Sequence, residues 1–466
     1  MTGRVLIVGA GPVAHRLAGR LAALGHGDGT VLLGAEPHPP YHRSLLTRLL
    51  RPGTEPRLLA MPPLPPGTEI RARVRVRSLD RHRRRVLTDA GEAVGYDTLV
   101  LATGARPRLP GPQELSGLRT EGGRLLPGAG PLRTLRDAAE TSGRRVVVLG
   151  AGPLGVEAAA ALRRAGRETV LVHRGPHPLS GHLDAAAGEL LARALTAQGI
   201  GLETGRTAVS AVPGKLTLDD GRVLAWDRLL LCTGAQPRTE LAAEAGIRVR
   251  RGIVVDALLR TGDPRIHAIG DCAEPEGGHT GSLEEGWSQA DALARTLAGR
   301  PTAFHPPAPL LRLRHGADVA VLHPAPGAGT GVRRVTFRDR TRGRYARLDL
   351  DAAGRLVSAV TVGLPEAPAA LSQLHDTRMP VPADPLPLLL GAPARSTTEE
   401  VRLPQAALIC RCNNVPRRQL DQAWQQGART VEALAAATRA TTGCGTCTDQ
   451  VRRICSQLDA ASKTAR

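Results

Sequence analysis

Four cysteines late in this 466-residue chain form the pattern best suited to chemistry: Cys410-Arg411-Cys412, thirty-one residues, then Cys444-Gly445-Thr446-Cys447. Two close pairs of thiolates offer four soft sulfur ligands. Softness and spacing suit zinc or a [2Fe–2S] cluster equally, and the plant-type ferredoxin spacing is absent. Cys455 falls outside the pattern and reads as a helix cysteine, while Cys232 and Cys272 stand alone.

Glycines carry the second signal. Gly9-Ala10-Gly11-Pro12-Val13-Ala14 follows the apolar run Val5-Leu6-Ile7-Val8. In such a fingerprint the first glycine permits a tight turn and the second lets backbone approach a pyrophosphate. The third position allows close helix packing and tolerates alanine. Glu36, near the end of the next apolar run, is placed to hold a ribose. Gly150-Ala151-Gly152-Pro153-Leu154-Gly155 repeats the fingerprint in full. Its second strand ends at Val172, and His173-Arg174 takes the place of the acid that would select NAD. Arginine there can pair with a 2′-phosphate, which favours NADPH over NADH.

These residues need elements to carry them. Each fingerprint sits in a strand–turn–helix–strand unit, so two nucleotide-binding halves are expected. Glu69 to Val76, Tyr96 to Leu101 and Trp226 to Leu231 read as further strands. The last two end in the steps Thr103-Gly104 and Thr233-Gly234. From Pro301 the helical periodicity fades, and Gly331 to Phe337, Arg344 to Leu350 and Leu356 to Val362 read as short strands, with a turn at Asp351 to Gly354. Pro380 to Thr398 is rich in Pro, Ala and Gly and reads as a linker. Around the last cysteines, Leu420, Trp424, Val431, Leu434 and Ala435 can supply the apolar faces of short helices.

Composition narrows the class. The chain is 42% hydrophobic and 23% charged, which excludes a disordered or fibrous protein. No apolar run reaches the roughly 18 residues that span a bilayer. Met1 leads almost directly into an apolar strand, so no secretory leader and a cytoplasmic location are expected. Lys+Arg is 62 against 43 Asp+Glu, for a net +19, yet Lys215 and Lys463 are the only lysines. Nucleic-acid binding is one reading of that excess. Arginines spread over the whole chain and aromatics at only 2% argue against it, because single-strand binding needs stacking platforms.

Three stretches then carry a resemblance: YDTLVLATGARP from Tyr96 to Pro107, LLCTGAQP from Leu230 to Pro237, and GIVVDALLRTGDPRIHAIGDCAE from Gly252 to Glu274. With both fingerprints, residues 1 to 300 resemble the pyridine nucleotide–disulfide oxidoreductase superfamily, in its branch of ferredoxin, rubredoxin and nitrite reductases. The resemblance implies FAD on the first fingerprint and NADPH (or NADH) on the second. It also implies that Gly270-Asp271 contacts the ribityl–pyrophosphate region. No cysteine precedes Cys232, so thiol–disulfide reduction is not expected. Pro40 to Arg48 resembles the family stretch beside the isoalloxazine. Arg43 is retained there, and Arg48 stands where the family has lysine, lending charge but not a proton. Glu157 matches a position near the nicotinamide end and reads as a first-turn glutamate.

CRCNNVPRRQL, Gly427 to Ala437 and TRATTGCGTC resemble the bacterioferritin-associated-ferredoxin-like domain, which implies a [2Fe–2S] cluster on Cys410, Cys412, Cys444 and Cys447. The expected fold is therefore α/β, with two Rossmann-like three-layer ββα dinucleotide-binding domains, a small α+β domain and a small all-helical [2Fe–2S] domain. The expected boundaries are 1–120 with 246–300 for FAD, 121–245 for NAD(P)H, 301–390 for the α+β domain, a linker over 391–407, and 408–466 for the cluster domain. The layout resembles the electron-transfer subunit of assimilatory nitrate reductase and the amino-terminal part of the nitrite reductase large subunit. No sirohaem or molybdopterin-sized region is present, so a separate catalytic subunit is expected as partner, first a molybdopterin nitrate reductase. A reductase for nitrite reductase, ferredoxin or rubredoxin is the alternative. From another class, the tail reads as a structural zinc or iron-sensing module. Oligomeric state is not legible.

Overall fold

The computed structural model describes residues 3–276, 278, 281–308, 310–313, 317–324, 332–391, 405, 407–410, 413, 415–442 and 447–464. Its first sheet has five parallel strands in the order Ile266–Ala268, Thr98–Leu101, Val5–Val8, Thr30–Gly34 and Thr68–Ala72. The three inner strands are continuous apolar runs rather than alternating ones, because both faces of the sheet are covered. Helix Pro12–Ala23 and helix Leu283–Leu297 pack side by side, tied by Arg16 and Arg20 to Asp291 at 2.6 and 3.0 Å. Leu79, Val86 and Val94 of the antiparallel strands Val76–Asp80, Arg85–Thr88 and Ala93–Gly95 join the same core.

The second sheet repeats the plan. Its order is Gly201–Thr204, Glu168–His173, Arg145–Leu149, Arg228–Leu231 and Ala129–Pro131, again parallel. Side chains alternate across it as strand geometry requires. Val146, Val148, Leu171 and Leu230 face helix Pro153–Arg164, while Val147, Val172, Leu229 and Leu231 face the antiparallel strands Ala208–Val212, Lys215–Leu218 and Val223–Ala225. Both regions are thus three-layer ββα units.

A five-stranded antiparallel sheet follows, in the order Leu310–Leu313, Val319–Leu322, Leu356–Val362, Arg344–Leu350 and Arg333–Asp339. Helix Ala367–Thr377 covers one face over Leu348, Leu350 and Leu356. The other face, with Tyr345, Val360 and Val362, packs on the second unit. There Tyr345 and Arg347 both donate to Asp184, at 2.9 and 2.7 Å. The sequence located three of these strands and missed the first two, which are short and flanked by prolines. Part of the stretch read as a linker is the short helix Leu386–Leu390. The linker expected at 391–407 lies almost wholly outside the described residues.

The last region is largely helical: Arg417–Gln425, Val431–Thr438 and Thr448–Thr464 surround Leu420, Trp424, Leu434, Val451 and Ile454. A short antiparallel pair, Leu408–Cys410 with Val415–Pro416, carries the first cysteine, so the region is not wholly helical. No helix among the described residues is long and apolar enough to cross a membrane.

Candidate functional site

The two fingerprints fold alike. Gly9 has φ +118°, and a Cβ there would lie 2.2 Å from the carbonyl oxygen of Ala102. Gly150 has φ +109°, and its Cβ would lie 2.3 Å from the carbonyl oxygen of Cys232. Only glycine combines that backbone with that approach. Gly11 and Gly152 then serve as helix N-caps in extended conformation, without a side-chain cap and without an acid in the first turn. Pro12 and Pro153 occupy the first helical position, where a missing N–H costs nothing. A Cβ on Gly11 or Gly152 would meet no atom within 4 Å. Each helix start therefore presents unsatisfied N–H groups and its positive dipole end to open space, an arrangement that fits a pyrophosphate. At the third position Ala14 is accepted in the first unit. In the second, a Cβ on Gly155 would come 1.8 Å from the Gly150 carbonyl oxygen. Leu154 lies in the first turn of that helix.

The remaining first-unit candidates gather at the same sheet end. Gly270, at φ +75°, packs on Val13, and its N–H donates to Gln289 Oε1 at 2.7 Å. Asp271 follows and faces Arg133 at 3.9 Å. Glu36, expected to hold a ribose, accepts from Tyr41 Oη at 2.8 Å and pairs with Arg43. Arg43 also donates to Tyr41 and to the Arg133 carbonyl, at 2.9 and 3.1 Å. Glu36, Tyr41, Arg43, Arg133 and Asp271 thus form one network. Burial pushes the Tyr41 phenol far above its ordinary pKa, so it stays a donor. The sequence reading missed Tyr41 and Arg133. Tyr41 lay inside a quoted stretch, whereas Arg133 is one arginine among many and gave no local signal.

Arg48 is half-buried on the turn Arg43–Leu50, which packs on helix Pro153–Arg164. That helix begins at Pro153, so Glu157 lies in its second turn, not its first. The same helix thus carries the second cradle and backs the Arg43–Arg48 turn. His173 is half-buried with Nε2 3.0 Å from Ser180 Oγ. Burial, reinforced by the neighbouring Arg174 charge, lowers its pKa. Arg174 itself is exposed.

Thr103 and Thr233 join the two units. Thr103 Oγ1 donates to the Arg238 carbonyl and Thr233 Oγ1 to the Arg108 carbonyl, at 3.0 and 2.5 Å. Beyond Gly104 and Gly234, strands Ala105–Pro107 and Ala235–Pro237 pair antiparallel. Gly104 (φ +68°) and Gly234 (φ +106°) both turn through the left-handed region that glycine adopts without strain.

Of the four late cysteines, Cys410 and Cys447 are buried in one core, while Cys412 and Cys444 lie outside the described residues. The Thr441 N–H donates to Cys447 Sγ at 3.3 Å. Thr441 holds φ +68°, a costly conformation for a β-branched residue, and the bond to sulfur orients it. Asn413 Nδ2 donates to the Arg439 carbonyl at 2.6 Å and to Thr442 Oγ1 at 3.1 Å, tying the segment after Cys412 to that before Cys444. Buried sulfurs with a main-chain N–H aimed at one of them fit thiolate ligands of an iron–sulfur cluster. Cys455 lies within helix Thr448–Thr464. Cys232 and Cys272 are buried, and burial pushes the Cys232 thiol up to about 12, so neither is poised for thiol chemistry.

Comparison with known proteins adds an independent view. A family model described as pyridine nucleotide-disulphide oxidoreductase matches residues 3–292, and one described as BFD-like [2Fe-2S] binding domain matches residues 408–457. The nitrite reductase [NAD(P)H] large subunit of Klebsiella oxytoca is 33% identical over 404 residues, covering 83% of this chain and 41% of that protein. The assimilatory nitrate reductase electron transfer subunit of Bacillus subtilis is 28% identical over 440 residues, covering 90% of this chain and 54% of that one. The chain therefore spans about half the length of these relatives or less. A solved ferredoxin reductase from Rhodopseudomonas palustris superposes with a TM-score of 0.68 at 28% identity, over 77% of this chain and 91% of that one.

Proposed function

The chain belongs to the pyridine nucleotide-disulphide oxidoreductase family, and we propose that it works as an electron-donating arm, from NAD(P)H to an iron–sulfur acceptor protein. It is an FAD- and NAD(P)H-dependent oxidoreductase with a [2Fe–2S] domain. When bound, FAD would supply a hydride acceptor for NAD(P)H, and a [2Fe–2S] cluster on the late cysteines would supply a one-electron carrier. The protein's part is to bind and orient. Gly9, Gly11, Pro12 and Ala14 cradle the FAD pyrophosphate and Asp271 holds the adjoining chain. Arg43 and Arg48 supply positive charge beside the flavin. Gly150, Gly152, Leu154 and Gly155 cradle NAD(P)H, with His173 and Arg174 at its ribose and Glu157 toward the nicotinamide. Thr103, Gly104, Thr233 and Gly234 set the two cradles against each other. Cys410, Cys412, Cys444 and Cys447 hold the cluster.

Glu36 is the one candidate whose role shifts. Its carboxylate is engaged by Tyr41 and Arg43, so it orients Arg43 at least as much as it can hold a ribose. The acceptor we favour is the catalytic part of a nitrite reductase, because the Klebsiella oxytoca nitrite reductase large subunit, at 33%, is more similar to this chain than the nitrate reductase subunit, at 28%. A molybdopterin nitrate reductase, the first expectation from sequence, stands second.

The observation that carries this reading is the pair of uncapped helix starts, at Gly11 and Gly152, opening on free space in two units clamped together. Anaerobic addition of NADPH to the purified protein tests it. The visible flavin bands should bleach and a reduced [2Fe–2S] EPR signal should appear, with two irons and two labile sulfides per chain. Stoichiometric zinc in place of iron would overturn it.

A further inference from the structure

Arg439 reaches across the molecule. Its Nη2 donates to the Ala60 carbonyl at 2.9 Å, joining the cysteine region to the first unit. Ala60 is no remote surface point, since it bridges to Tyr41, and the His42 N–H donates to the Leu59 carbonyl at 2.9 Å. Arg439 therefore grips the back of the Tyr41–Arg43 segment. Next to it, His15 Nε2 lies 2.7 Å from the Pro62 carbonyl.

His42 occupies this junction. It is 2% exposed, and neither ring nitrogen completes a hydrogen bond. Burial, the largest influence, lowers the His42 pKa to about 4; Asn413, one residue from Cys412, stands beside the ring and opposes this, and its Oδ1 is likewise buried and unbonded. The charges of Arg48 and Arg439 both act on the His42 ring. A second tie lies elsewhere on the region, where Arg453 pairs with Glu366 at the start of helix Ala367–Thr377.

We infer that Arg439 is a positioning residue that docks the iron–sulfur region on the flavin-bearing segment, and that this docked arrangement is the one in which electrons enter the cluster. This rests on the donor-arm reading above. Four thiolates make such a cluster anionic, and its negative charge grows by one on reduction. A junction carrying Arg48 and Arg439 therefore favours both docking and the reduced state. Each passage removes one electron from the reduced flavin and adds one to the cluster. Two passages, with an external one-electron protein acceptor reoxidising the cluster between them and one proton released to water, balance the hydride taken from NAD(P)H.

Arg439 holds φ +61°, so Arg439→Gly deletes the guanidinium while keeping a backbone that glycine prefers. In stopped flow, flavin bleaching by NADPH should stay within about twofold of wild type, while cluster reduction slows at least about tenfold. Hydrogen exchange of the holoprotein should show lost protection over Pro40 to Met61. Glu366→Arg should also slow cluster reduction, and adding Arg453→Glu should restore it. Cluster reduction at the wild-type rate in Arg439→Gly, with protection unchanged, would overturn the docking inference and leave the donor-arm reading standing. Failure of NADPH to reduce either centre in the wild type would instead strike the donor-arm reading itself.

Discussion

The Thr103 hydroxyl donates to the main-chain carbonyl of Arg238 at 3.0 Å, a bond from the end of one sheet to the strand leaving the other. Thr233 returns it to Arg108 with the units exchanged. Main-chain bonds reinforce the pair, from Arg238 N–H to Gly104 and from Arg108 N–H to Gly234, at 2.9 and 3.0 Å. A hydroxyl bond of this kind contributes about 1 kcal/mol. Thr103→Val and Thr233→Val should each lower the urea midpoint by that equivalent and raise amide exchange at Arg238 and Arg108 respectively. Unchanged midpoints would show that the main-chain bonds alone hold the units.

Arg174 is exposed at the end of strand Glu168–His173, where a 2′-phosphate would lie. A charge-assisted hydrogen bond is worth about 1.5–3 kcal/mol, or about 10- to 100-fold in rate. Arg174→Ala should lower kcat/KM for NADPH by that factor and leave NADH nearly unchanged. Equal losses with both nucleotides would remove Arg174 from cofactor selection.

His267 sits on the edge strand Ile266–Ala268, 4% exposed, with Nδ1 unbonded. Burial, the largest influence, takes its pKa from 6.5 down to about 4, against the pull of Asp256 and with the push of Arg260. The unfolded chain therefore takes up a proton before the native one does. Stability from this group is complete above pH 6.5, falls as pH drops toward 4, and levels off below. The loss amounts to about 3 kcal/mol across that window. His267→Gln should flatten this part of the stability–pH profile, read as urea midpoints between neutral pH and pH 4. A parallel slope in the variant would assign the acid sensitivity elsewhere.

Cys410 and Cys447 share one buried core, and Cys455 stands in a helix beside it. Cys410→Ser and Cys447→Ser should abolish the bound iron and the EPR signal while NADPH still reduces ferricyanide through the flavin. Cys455→Ser should retain both irons. Loss of iron in the last variant would enlarge the ligand set.

Much of this was legible where the information is local. Gly9, Gly11, Gly150, Gly152 and the Thr-Gly steps announce themselves because a tight turn beside a phosphate restricts consecutive residues. The strands Arg344–Leu350 and Leu356–Val362 matched to the residue, since one hairpin turn separates them. Relationships between distant segments were silent. Nothing near Arg133 marks it as the neighbour of Asp271, nor Arg439 as the partner of Ala60, in a chain where arginine is everywhere. Glu36 lies just beyond the strand Thr30–Gly34, and its engagement by Tyr41 and Arg43 depends on how the following turn folds back.

The first sheet closes only when Ile266–Ala268 pairs with Thr98–Leu101. During synthesis, Leu101 is made long before Ile266, and at roughly 5–20 residues per second the interval lasts roughly 8–33 s. Throughout that time the outer edge of Thr98–Leu101, a strand with three buried apolar residues, has no partner. The inserted second unit, whose strands all lie between Ala129 and Leu231, can complete its own sheet during this interval. The nascent chain thus matures from the inside outward, and it is the open edge at Leu99 to Leu101 that a chaperone or a wrong strand would meet first.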